Sequence, residues 1–157
     1  MNLRIVVLGM IMLSSLFSYG QKVIKKDGVY VNAETLKTYS GVYVSYYENG
    51  EKESVYLIKN GFEDGKVEFY YNTGEIMEQG TFKSGEKSGK WIRWSKSGIK
   101  LAEAHYYNGN KDGEWQIWDD RGVRRYQMHY KKGKKVGRWI IWDNKGQISN
   151  RKEYNLP

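Results

Sequence analysis

Gly113-Glu114-Trp115-Gln116-Ile117-Trp118-Asp119-Asp120-Arg121-Gly122 is one copy of a frame that returns every 24 residues without an insertion. Upstream it reads Gly89-Lys90-Trp91-Ile92-Arg93-Trp94 to Gly98, and downstream Gly137-Arg138-Trp139-Ile140-Ile141-Trp142 to Gly146. Two earlier copies, Gly41 to Gly50 and Gly65 to Gly74, keep the glycines but carry Tyr43 and Tyr46, or Val67 and Tyr70, where the tryptophans stand. All six tryptophans occupy the third and sixth positions of this frame. A fixed period of this length marks an array of supersecondary units, each packing on its neighbours.

The glycines punctuate strands. With Gly41 as position 1, glycine returns at position 10 (Gly50, Gly74, Gly98, Gly122 and Gly146) and at position 21 (Gly61, Gly85, Gly109 and Gly133). The triplets ending at position 10, such as Asp120-Arg121-Gly122, suit a three-residue hairpin loop whose last residue takes positive φ. Asn60-Gly61, Ser84-Gly85 and Asn108-Gly109 carry the chemistry of a second turn, followed by a polar stretch to the next glycine. Between the glycines, positions 2 to 7 are rich in Val, Ile, Trp, Tyr and Phe, and position 18 holds Ile58, Phe82, Tyr106, Tyr130 and Tyr154. The expected fold is all-β: an elongated, twisted antiparallel meander of about five 24-residue hairpins, 41–64, 65–88, 89–112, 113–136 and 137–157, with no helix in the mature chain. Residues 21–40 fall outside the frame and are expected to form an N-terminal cap.

Residues 1–20 are of another kind. Arg4, the apolar run from Ile5 to Phe17 and small residues before Gln21 predict a secretory signal peptide cleaved after Gly20. The expected location is therefore extracytoplasmic. The absence of cysteine excludes disulfides, thiol chemistry and cysteine metal sites. The mature chain carries 25 basic and 18 acidic residues, unevenly placed. Residues 41–88 hold 5 Lys against 9 Glu and Asp, net −4, whereas residues 89–157 hold 16 Lys and Arg against 7 acids, net +9. One end of the array is acidic and the other basic.

Strand spacing constrains the aromatics. Equivalent residues of consecutive hairpins lie about 9.6 Å apart, twice the strand spacing, so Trp91, Trp115 and Trp139 cannot stack directly. The intervening strand must supply filler, with Gly80, Ala102, Ala104, Met128 and the position-18 tyrosines as candidates. The structural aromatics are Trp91, Trp94, Trp115, Trp118, Trp139, Trp142, Tyr106 and Tyr130. Positions 3 and 6 have opposite parity, which predicts rings on both faces; a bulge bringing them to one side is the alternative.

No reactive constellation emerges. His105 and His129, both at position 17, would lie about 9.6 Å apart, too far to share a metal ion. Glu103, Asp119 and Asp120 read as solvated carboxylates, and no Ser or Thr has an identifiable base. No enzyme, cofactor or metal is expected. The candidate binding residues are the basic cluster Arg121, Arg124, Arg125, Lys131, Lys132, Lys134 and Lys135. Such a cluster suits a solubilising surface, or a patch for anionic lipid, acidic polysaccharide or an acidic protein. Export argues against nucleic acid as a partner.

The pattern Gly-x-Trp-x-x-Trp/Tyr-x-x-x-Gly, with Tyr106-Tyr107-Asn108-Gly109-Asn110-Lys111-Asp112-Gly113 as its second half, resembles the MORN-repeat-variant family. The resemblance covers residues 41–157. It implies an extended sheet of hairpins used for protein or membrane-lipid association. Many variant members are described as antitoxins of toxin–antitoxin pairs, a role from which the signal peptide departs. The functional expectation is an exported scaffold in the cell envelope that binds another protein. The alternative is a module that binds surface glycan or anionic lipid through exposed aromatics and the basic C-terminal repeats.

Overall fold

A computed structural model describes residues 22–155. The expected signal peptide and its cleavage site lie outside these residues. Thirteen strands and no helix make up the described chain. Strands β1 (Val23–Lys26) and β2 (Val29–Asn32) form a separate hairpin. The remaining strands are β3 (Gly41–Tyr46), β4 (Lys52–Lys59), β5 (Phe62–Tyr70), β6 (Ile76–Lys83), β7 (Glu86–Trp94) and β8 (Lys100–Tyr107). They continue as β9 (Asn110–Lys111), β10 (Gly113–Trp118), β11 (Arg124–Lys131), β12 (Lys134–Trp142) and β13 (Ile148–Tyr154). Their spatial order follows chain order from β3 to β13, with β9 a short piece paired only to β8. This is the expected antiparallel meander.

Two kinds of turn alternate along it. At each three-residue loop the position-10 glycine has φ between 76° and 96°, as at Gly122 and Gly74. That conformation costs glycine nothing. Beyond the loop the strands slip register: Ser45 pairs with Ser54, but Tyr46 pairs with Lys52. The same slip recurs in every hairpin and leaves position 13 as the extra residue. The second connection is a two-residue turn with positive φ at both residues: Asn60 and Gly61 (50° and 84°), and likewise Lys132 and Gly133 (46° and 79°). This is the type I′ geometry that matches the twist of the flanking strands.

The structure differs from the sequence reading at position 1. The polar stretch after each two-residue turn is strand, so Gly65, Gly89 and Gly137 lie inside β5, β7 and β12. Each is the site of a bulge. Gln79 pairs with Ile92, yet Thr81 pairs with Ser88, so Gly80 alone faces Gly89, Lys90 and Trp91. Gly89 takes φ 66° there, which bends the strand and lets the sheet roll over its own aromatics.

The core is a ladder of rings on one face. Phe82, Trp91, Tyr106, Trp115, Tyr130, Trp139 and Tyr154 follow one another with centroid separations of 5.2, 6.2, 5.2, 5.5, 5.2 and 4.9 Å. Position 18 thus supplies the filler that the strand spacing requires. Trp91 is 2% exposed, and Val67, Ile58, Ala104 and Met128 are buried beside the ladder. Trp91 sinks deepest because it lies against Gly80, where a Cβ would sit 2.2 Å from its ring. Indole Nε1 of Trp115 donates to the His105 carbonyl (3.0 Å) and that of Trp139 to the His129 carbonyl (3.1 Å). Among the described residues, the buried Trp91 Nε1 has no such acceptor.

The first hairpin closes the ladder's acidic end. Tyr30 is buried and stacks on Tyr43 at 5.0 Å, while its amide donates to the Gly61 carbonyl. Gly61 N donates to the Tyr39 carbonyl, as Gly85 N does to Glu63 and Gly109 N to Lys87 in later repeats. Tyr39 therefore takes the backbone role of position 23. Lys25 bonds Glu63 at 2.7 Å. Burial pushes the Glu63 carboxyl up, but the Lys25 ammonium and hydrogen bonds outweigh it and hold the group below its ordinary range.

Candidate interaction surface

The two faces of the sheet carry different stripes. Between positions 3 and 6 the strands alternate without a register shift on their own side, so the position-6 rings lie on the face opposite the ladder. The both-faces expectation describes this sheet. On the ladder face, position 23 places a lysine over the next ring. Lys87 Nζ stands 3.7 Å from the Trp91 centroid, Lys111 4.2 Å from Trp115 and Lys135 4.9 Å from Trp139.

On the opposite face, a cation at position 12 covers the ring 18 residues further on. Lys52 lies over Tyr70 (5.2 Å), Lys100 over Trp118 (4.4 Å) and Arg124 over Trp142 (5.5 Å). Ile76 breaks the column: it holds position 12 beside Trp94 and has no charge. An open cleft of ≈ 520 Å³ lies there, lined by Ile76, Trp94, Gln79, Glu75 and the Lys96 stem. Sequence reasoning missed Glu75, Ile76 and Gln79. The signal was available in the position-12 column, which reads Lys52, Ile76, Lys100, Arg124 and Ile148.

A second exposed feature sits at the acidic end. Val42 pairs with Leu57 and Val44 with Val55, so these four share the outer face with Tyr46. Val42, Tyr46 and Leu57 are 54%, 61% and 43% exposed. β3 is the terminal strand of the sheet, so the patch adjoins an open edge, partly shielded where the Tyr39 hydroxyl donates to the Val42 carbonyl (2.8 Å).

The basic cluster does not form one patch. Arg121, Arg124 and Arg125 stand at the start of β11, and Lys131, Lys132, Lys134 and Lys135 at its far end, roughly 24 Å away at about 3.4 Å per residue. Several members are already engaged. Arg121 bonds Asp119 (3.0 Å) and the Asn144 carbonyl (3.0 Å), and Lys131 bonds Asp112 (3.1 Å). Arg124 covers Trp142 and Lys135 covers Trp139. The sequence places these residues close together, but β11 extends between the two groups.

The remaining candidates have structural surroundings. His105 Nδ1 donates to the Glu114 carbonyl (2.9 Å) and His129 Nδ1 to the Arg138 carbonyl (3.2 Å), each tying its strand to the next. Burial raises the Glu103 carboxyl, but hydrogen bonds from Lys100 and Lys90 outweigh it and hold the group low. Asp119 caps its own loop by accepting from Arg121 N and Val123 N. Among the described residues, no group of three or more His, Cys, Asp or Glu side chains is placed to hold a metal.

A family model described as "MORN repeat variant" matches residues 63–84 and 111–132. These two stretches are similar to the MORN-variant repeat. The two matched segments begin 48 residues apart, two periods of the frame. Each runs from position 23 to position 20 and so covers one hairpin with its three-residue loop, β5–β6 and β9–β11. None of the curated proteins matches the chain. MORN repeats generally serve as protein or membrane-interaction modules, and the family is typically non-enzymatic.

Proposed function

We propose that this MORN-repeat chain is an exported, non-enzymatic scaffold in the cell envelope whose outer sheet face docks another protein. The observation that carries the reading is the apolar patch of Val42, Val44, Tyr46, Val55 and Leu57 beside an open strand edge. Side chains of this kind contribute about 25 cal/mol per Å² when covered, and an edge strand offers unpaired backbone groups to an incoming chain. The opposite face carries the ladder, whose rings are packed on one another. A glycan or an anionic membrane has less support, because the basic residues divide into two groups and are partly engaged within the protein.

Capture from an envelope extract with immobilised protein tests the reading. The wild type is expected to retain a defined partner that the variant Val42→Asp with Leu57→Asp releases, while its circular dichroism stays unchanged. Equal retention by a folded variant refutes it. Export has its own test: the protein purified from the envelope is expected to begin at Gln21, and a full-length cytoplasmic form overturns that part.

A further inference from the structure

We propose that the cleft at Trp94 receives an arginine or lysine side chain from the partner protein. The inference rests on the protein-docking reading above and names the chemistry of one contact. Its basis is a substitution within the chain's own pattern. Three times on this face a cation at position 12 covers the position-6 ring of the next repeat, at 4.4 to 5.5 Å from the centroid. At the fourth place the cation is replaced by Ile76, and the ring of Trp94 borders an open cleft of ≈ 520 Å³. The equivalent rings are covered by Lys52, Lys100 and Arg124, so the geometry of a seated cation is already drawn within the molecule.

The walls suit the rest of such a side chain. Ile76, 39% exposed, provides an apolar surface for a three- or four-carbon stem. Trp94 lines the cleft at the place where the charged head would sit over a ring. Glu75 lines the same cleft; its carboxylate accepts from the Thr73 hydroxyl and, among the described residues, forms no ion pair. Lys96, the cation on the rim, bonds Asn72 Oδ1 at 3.2 Å through its ammonium and lies 5.6 Å from the Tyr71 ring centroid. After the hydrogen bond from the Thr73 hydroxyl, it is near enough to Glu75 to help hold that carboxyl low without pairing with it. The repeats on its N-terminal side, 41–88, carry the net −4 that draws a basic segment toward this end. A purely apolar side chain would cover Ile76 and Trp94 but offer no charge to the Glu75 carboxylate.

The test uses N-acetyl-arginine amide and its neutral counterpart, N-acetyl-citrulline amide, titrated into 15N-labelled protein. Indole resonances are followed, with Trp94 assigned by Trp94→Phe. The arginine amide is expected to shift the Trp94 signal saturably at millimolar concentration, and the citrulline amide is not. Ile76→Lys restores the residue found at this frame position in two other repeats and is expected to abolish the response by filling the cleft from within. Glu75→Gln, a change at an exposed loop residue, is expected to weaken binding about two- to fivefold. Equal shifts by the two amides, or an undiminished response in Ile76→Lys, overturn the inference. If the amides give no response while Val42→Asp with Leu57→Asp still releases the partner, the cleft assignment alone fails. Retention of the partner by that double variant defeats the docking reading instead.

Discussion

Trp91 is the rung on which the sheet's stability should depend most, and its energetics can be worked from its neighbours. The ring is 2% exposed, with Phe82, Phe69 and Tyr106 at 5.2, 6.4 and 6.2 Å and the Lys87 ammonium 3.7 Å above it. Truncating a buried tryptophan to alanine costs about 3 to 5 kcal/mol through lost transfer energy and the cavity left behind. Loss of the cation–π contact adds roughly 0.5 to 1 kcal/mol. Against this, the unpartnered indole N–H carries a desolvation cost of about 1 to 3 kcal/mol, which the substitution removes. The central net expectation for Trp91→Ala is a loss of about 3 kcal/mol. The same reasoning separates two milder variants. Trp91→Phe removes an N–H that has no partner, whereas Trp115→Phe breaks a 3.0 Å bond to the His105 carbonyl, so the second should cost about 1 kcal/mol more. Urea unfolding followed by circular dichroism measures all three. Because each repeat packs only on its neighbours, the central alanine is also expected to broaden the transition and lower its m value. A Trp91→Ala loss below about 1 kcal/mol with an unchanged m value, or a Trp91→Phe loss larger than that of Trp115→Phe, refutes the ladder as the principal source of stability.

Other expectations follow from single positions. Gly80→Ala places a methyl 2.2 Å from the Trp91 ring and should cost at least about 1 to 3 kcal/mol by overpacking, despite the modest size of the change. A wild-type melting temperature would show that Trp91 does not rest on Gly80. Lys132 holds φ 46° in a turn where the equivalent residues are Asn60 and Asn108, so Lys132→Asn should gain about 1 kcal/mol in the same urea assay; a loss would contradict the turn. The depressed Glu63 pKa stabilises the fold above the ordinary value of 4.5, and that contribution is lost as pH falls through the folded value. Protection of the Tyr30 and Val31 amides, taken relative to intrinsic exchange at each pH, should therefore fall below pH 4.5 in the wild type and change little in Glu63→Gln. Identical acid profiles for the two proteins would remove Glu63 from the attachment of the first hairpin.

The 24-residue frame, the hairpin turns, the meander and the opposite parity of positions 3 and 6 were all legible along the chain, because glycine at fixed spacing and period-2 apolar alternation are local properties. The bulge glycines were not. A positive φ inside a strand has the same sequence signature as a turn, and only the pairing of Gln79 with Ile92 and Thr81 with Ser88 shows that Gly89 bends β7 instead of ending it. Charge behaved in the same way. Sequence proximity joined Arg121 to Lys135, whereas extended backbone carries the two ends of β11 apart and assigns their members to separate partners. The cleft at Trp94 depends on a relation between residues 18 positions apart, which becomes contact only when one hairpin lies on the next. The sequence by itself determined the repeat and its strands, since these depend on local backbone preference; the tertiary structure decided which ring each cation covers and which is left open, since that depends on register across strands.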